Sequence, residues 1–200
     1  MVSRRNSRGF TLVELMIVVA IVGVLAALAI QGVRAYLTYA KTGEAKNSVG
    51  AIGRSAAAAY ARESADSELL KQGTESKSAS HAVCDSAKPV PNKVPKGTKY
   101  QPSSATNKDF NTGDTKTGWS CLKFSIDQPI YYRYTYVKGT KGLVAKNNKA
   151  KPNKDGFEAA AQGDLDGDGT RSTFALTGTV DTKTQSLRVS TQLYIEQENE

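Results

Sequence analysis

The sequence predicts an α+β protein in which a long N-terminal helix, a stem, packs on an antiparallel β-sheet head. Three observations lead there. Most of the continuous apolar sequence is gathered at 10–30. Residues 31–70 turn to Ala, Arg, Glu, Lys and Ser, with apolar positions at helical spacing. From Trp119 onward, short aromatic and β-branched segments follow one another between turn residues. A helix followed by a run of strands is the α+β pattern, with the helix laid on one face of the sheet.

The stem opens with a basic stretch, Arg4, Arg5 and Arg8, and then FTLVELMIVVAIVGVLAALAI over residues 10–30. Basic residues before an apolar run resemble a secretory signal. This run, however, is long enough to cross a bilayer: at 1.5 Å per residue it measures roughly 30 Å. The arginines hold the N-terminus on the cytoplasmic side and send the rest of the chain outward. Glu14 interrupts the run. A carboxylate there costs about 2.5–3.5 kcal/mol on insertion scales, and the apolar segment offers no Lys, Arg or His to pair with it. Its partner has to come from another chain or from a freed amino terminus. The alternative is an ordinary signal anchor with an incidental glutamate.

Arg8-Gly9-Phe10-Thr11-Leu12-Val13-Glu14-Leu15 resembles the cleavage and methylation site of type IV pilins and type II secretion pseudopilins, and the likeness extends to Ile30. The resemblance implies that a prepilin peptidase removes residues 1–9, cutting between Gly9 and Phe10, and that Phe10 is then N-methylated. It also implies a partner for Glu14: the N-terminal ammonium of a neighbouring subunit joining a filament. Such a pair removes two unpaired-charge penalties at once in a low-dielectric core. One departure is visible. Many type IV pilins carry a proline just after the apolar run, where Gln31 stands here. Gln31 keeps its backbone donor, which allows the helix to run through, while Gly23 and Gly32 weaken it, so a continuous stem and one that melts on assembly are both open.

From 31 to 70 the sequence reads as the amphipathic half of the stem. Val49, Ile52, Ala56, Ala59 and Tyr60 fall on one face. Gly43, Gly50 and Gly53 mark either close packing between stems or a kinked helix. The helix is expected to end near Leu70–Gly73, with Gly73 as the residue after the cap. The head then spans 71–200. Its first part, 71–118, is Lys/Ser/Thr-rich with Pro89, Pro91, Pro95 and Pro102, and reads as an irregular connection. The sheet is expected over 119–200, with strands at Trp119–Ile126, Ile130–Val137, Phe157–Gln162, Thr173–Val180 and Leu187–Ile195. An outward-facing head lies in an oxidising compartment, so Cys84 and Cys121 are expected to pair. This differs from the many pilins whose disulfide brackets a C-terminal loop.

Composition narrows the function. The chain has 200 residues, 39% hydrophobic and 23% charged, with a mean hydropathy of −0.43, which suits one folded domain rather than a disordered chain. The net charge is +8; without the three leader arginines it is +5, a mild excess that suits a solvated surface. Two Cys and one His exclude the usual zinc spacings, and no Ser-His-Asp or Cys-His pairing is prepared. Neither G-x-G-x-x-G nor a P-loop is present. The chain is therefore expected not to be an enzyme.

One later stretch carries possible chemistry. Asp164-Leu165-Asp166-Gly167-Asp168-Gly169-Thr170 opens like an EF-hand calcium loop, with Ser172 as a further oxygen donor, but the twelfth position is Ala175 where the loop needs a bidentate Glu. Calcium and a plain turn are both open, since Asp-Gly is a turn pair. No other cofactor is expected.

The resemblance implies a structural subunit of a type IV pilus, polymerising with copies of itself and related pilins, of the motility and adhesion class. One alternative is a type II secretion pseudopilin in a short periplasmic fibre. The size, the long loop and the lysines favour the surface pilin; the aspartate loop favours the pseudopilin. The further partners are the prepilin peptidase, the pilus or secretion assembly machinery and the inner membrane, crossed once before assembly. Glu14 argues against the special tip subunits that lack it. A third reading is a DNA-binding minor pilin for uptake, resting on Lys138, Lys141, Lys146, Lys149, Lys151 and Lys154. A solvated loop is the better account of those lysines, and DNA is not the favoured partner.

Overall fold

The computed structural model describes residues 9–62, 81–144, 151–198 and 200. Helix α1 spans Leu12–Ala61, and the chain divides into two compact units between Ala40 and Lys41. In the first unit, α1 is apolar on all sides. Gln31, which keeps its N–H, and Gly32 do not break it.

The second unit contains the rest of α1, a short helix α2 (Gly118–Leu122) and six strands: β1 (Ala87–Val90), β2 (Arg133–Lys138), β3 (Phe157–Gly163), β4 (Ser172–Asp181), β5 (Ser186–Val189) and β6 (Tyr194–Glu196). They form one sheet in the order β1-β2-β3-β4-β5, with β6 also on β4, and every pair between strands is antiparallel. This is the expected α+β architecture.

Register explains how the helix fits. Tyr134 pairs with Ala161, which pairs with Phe174; Tyr136 pairs with Ala159, which pairs with Leu176. Alternate residues share a face, so large side chains flank a row of alanines. That face and the buried side of α1 (Ala45, Val49, Ile52, Ala56, Ala59, Tyr60) form one core. The face expected from the sequence is the buried one. Gly53 is also buried in it, and the Leu176 side chain fills the space a Cβ would need. Gly43 has open space around its missing Cβ, so only Gly53 of these two marks close packing, and it does so within the head.

The helix closes at Ala61; the expected end at Leu70–Gly73 lies outside the described residues. The end is tied down: the Tyr60 hydroxyl donates to Gln185 O (2.8 Å), Arg62 donates to Cys121 O, and a His81 ring nitrogen contacts Tyr60 O at 3.0 Å. Three expectations need correction. Trp119–Ile126 is not a strand. Its first residues form α2, because Trp119, Cys121 and Leu122 are buried together, a spacing that a half-buried strand does not give. Lys123, in the left-handed conformation, closes the turn. Within the supposed irregular connection, Ala87–Val90 is an edge strand, a place that tolerates Pro89 because its missing N–H faces away from the ladder. Finally, Leu187–Ile195 is two strands. β5 pairs with β4 at Gly178–Asp181 and β6 at Thr173–Ala175, and Ser190 makes the break by donating from its hydroxyl to Gln192 O at 2.8 Å.

Candidate functional site

The N-terminal site begins with Gly9 and Phe10, the latter 87% exposed, just before the first helical residue, Leu12. Thr11 caps the helix. Its backbone N–H and hydroxyl both donate to Glu14 Oε2 at 2.8 Å, and the Glu14 N–H donates back to Thr11 Oγ1 at 3.3 Å. This reciprocal capping box satisfies amides that a helix start otherwise leaves unpaired. Glu14 therefore folds back toward the end of the chain that a cut after Gly9 would free. The sequence reading took Glu14 as a lone acid and missed Thr11, although Thr-x-x-Glu before an apolar run is the readable signature of this cap.

Beyond the cap, the large side chains of the first unit are turned outward. From Leu12 to Tyr39, residues such as Met16, Val22, Leu28 and Tyr36 are each more than half exposed. An 18-residue window of α1 has a mean hydropathy of 2.8, with none of it buried inside the chain. Exposed apolar surface on this scale needs an environment the chain does not supply for itself.

In the head, Cys84 and Cys121 form a disulfide, with Cα atoms 5.9 Å apart. It joins the segment before β1 to α2, so the pairing is as the sequence suggested, but the second cysteine lies on a helix rather than on a strand. Cys121 sits beside Trp119, whose indole N–H donates to Lys88 O at 2.8 Å and whose ring packs edge-on against Phe110.

The aspartate loop joins β3 to β4. Carboxylate oxygens of Asp164, Asp166 and Asp168 lie within 4.8 Å of one another; Asp164 is buried and the other two are exposed. Asp164 accepts from the N–H groups of Gly167 (2.8 Å) and Gly169 (3.2 Å), and Asp168 accepts from that of Thr170 (2.6 Å). The Thr170 N–H, with its hydroxyl, holds the Asp168 carboxyl below the usual range. Glu200 responds in the opposite sense: desolvation first, then Asp166, Asp168 and Asp164, push its carboxyl up. The spacing of the three aspartates suits a cation with oxygen ligands at 2.3–2.6 Å. The same amide bonds also make the loop a complete turn.

Of the lysines singled out, Lys138 pairs with Asp85 at 2.8 Å, Lys141, Lys151 and Lys154 are exposed, and Lys146 and Lys149 lie outside the described residues.

Residues 4–30 match the family described as prokaryotic N-terminal methylation motif. A curated relative is the type IV major pilin protein PilA of Myxococcus xanthus, 53% identical over 53 residues, which are 26% of this chain and 24% of that protein. The match thus spans about a quarter of the relative's length. No solved structure matches the chain. The matched motif and the relative both bear on the N-terminal quarter of the chain, which is similar there to type IV pilins; the outward-facing apolar helix and the helix-on-sheet head agree with that likeness.

Proposed function

We propose that this protein is a structural subunit of a type IV pilus, polymerising through the first part of α1 into a surface filament. The observation that carries the reading is the exposure of nearly every large apolar side chain from Leu12 to Tyr39. In this reading the prepilin peptidase cuts between Gly9 and Phe10, and Phe10 is N-methylated. The chain waits in the inner membrane with its N-terminus cytoplasmic, then enters an extracellular fibre through the assembly machinery. There the stem is covered by the stems of other copies and related pilins. Glu14 exchanges part of its contact with Thr11 for the ammonium of a neighbour's Phe10, which favours addition in one axial register. Shearing surface fibres from cells and weighing their subunits tests this. The chain should be abundant, begin at N-methyl-Phe10 and lack residues 1–9. Processed chain confined to the membrane fraction would overturn it in favour of the pseudopilin.

The pseudopilin reading has its own observation, the aspartate loop, for which we propose calcium as the occupant. Asp164, Asp166, Asp168 and Thr170 would supply oxygen ligands. Calcium there would offset two of the three carboxylate charges and ease the repulsion felt by Glu200. Ligand binding raises the melting temperature by mass action, so calcium should raise it in the native chain and not in Asp166→Asn. No rise and no heat of titration in the native chain would leave the loop as a turn.

A further inference from the structure

A groove of about 780 Å³ runs beside β1 on the head, at an edge of the sheet. Two features exclude a docked strand from this edge. Pro89 and Pro91 have no N–H to offer, and Lys88 O is taken by the Trp119 indole. Among the described residues the groove is instead lined by charge: Lys88, Lys93, Lys96 and Lys99 against one acid, Asp109. That acid is committed, accepting from the Tyr100 hydroxyl at 2.8 Å and the Ser103 N–H at 2.6 Å. Among the described residues, none of the four lysines makes an ion pair within 4.0 Å. Lys99 lies over the Tyr131 ring, 5.0 Å from its centre, and Lys96 adds to the field that lowers Asp168. Lys88, Lys93 and Lys96 are exposed.

We propose that this groove binds an acidic polysaccharide, its sugar carboxylates met by Lys88, Lys93 and Lys96. The other lining residues suit that ligand better than nucleic acid. Asn92, Thr98 and Asn107 offer hydrogen bonds to hydroxyls. Tyr100, the one aromatic lining the groove among the described residues, is half-buried with its hydroxyl tied to Asp109, so they offer no platform for stacking bases. Among the described residues no arginine lines the groove to fork onto phosphates. Concave sites of a few hundred cubic ångströms hold ligands of small-molecule width, whereas a duplex presents its phosphates on a broad convex surface. The groove belongs wholly to the head, so the inference stands apart from the polymerisation proposed above.

The test uses the full chain in detergent, with polygalacturonate as the probe and neutral dextran and duplex DNA as comparators. Polygalacturonate should bind, weaken with salt, and exceed both comparators. Replacing Lys88, Lys93 and Lys96 together by Gln should weaken it about tenfold or more, because removing paired cations removes released counterions. The three Arg replacements should retain binding. Replacing Lys141, Lys151 and Lys154 by Gln changes net charge equally and should alter affinity less than about twofold if the groove is the site. Melting temperatures of all variants control for folding. Equal losses in the two Gln variants, DNA binding as tight as polygalacturonate, or no binding by the native chain would each overturn the proposal.

Discussion

The two parts of α1 form a natural experiment in what a helix needs. From Leu12 to Ala40, apolar residues ring the helix and are exposed throughout; from Lys41 to Ala61, the larger ones, Val49, Ile52 and Tyr60, keep to one side and are buried in the core with the sheet. Backbone geometry is the same in both. What differs is pattern, and pattern decides whether a helix is satisfied by its own chain or needs lipid and other copies. Substitutions in the first part should therefore alter assembly and leave the head alone, while those in the second should do the reverse.

The largest separation is expected from Glu14→Ala. It should abolish incorporation into fibres, read by quantifying the subunit in sheared filaments, while the melting temperature of the head stays unchanged. A lowered melting temperature would break the division between the two parts. Glu14→Gln, which can still accept from Thr11, should keep the helix start but not the neighbour's ammonium. The next effect is in the head. Removing the disulfide by Cys84→Ala with Cys121→Ala opens a closed loop with a sequence separation of 37, worth about 4 kcal/mol in the chain-entropy model; denaturant unfolding measures the loss.

Gly53→Val sharpens the contrast at one residue. A branched side chain must displace Leu176, so the head should lose about 1–3 kcal/mol by overpacking. Gly23→Val has open space around it and should cost the head nothing in the same unfolding measurement.

The smallest expected effect is electrostatic. Burial pushes the Glu44 carboxyl up, opposed in part by the Tyr131 N–H and the Tyr134 hydroxyl donating to it. The folded head then holds that proton more tightly than the unfolded chain does. The resulting stability is fully present below the unfolded pKa and lost as pH rises through the folded one. Glu44→Gln should flatten this part of the pH–stability curve, by well under about 1 kcal/mol because the group is only partly buried. An unchanged curve would remove Glu44 as its source.

The parts of the fold that announce themselves by periodicity were legible in the sequence. Val49, Ile52, Ala56 and Tyr60 repeat at helical spacing, and β2, β3 and β4 carry alternating or continuously buried residues. What tertiary contacts decide was not legible. Trp119 and Cys121 look like a strand until their burial with Leu122 makes a single helical turn. Residues Leu187–Ile195 look continuous until β4 divides them between two pairings. At the N-terminal site, Glu14 stood out by its charge. Thr11 did not, because a threonine at the start of an apolar run gains meaning only from the glutamate three residues on. The lysines beside β1 were equally hidden, spread among prolines with no run of charge to mark them.

The central claim is that the first part of α1 is covered by lipid or by other copies and the second by its own head. Single cysteines at Val22, 57% exposed in the chain itself, and at Ala58, exposed on the other part of the helix, test it directly. Each is treated with a water-soluble maleimide in intact fibres and in membranes. Val22→Cys should stay unlabelled in both and Ala58→Cys should label in membranes. Labelling of Val22→Cys as fast as Ala58→Cys, in fibres or in membranes, would contradict the claim.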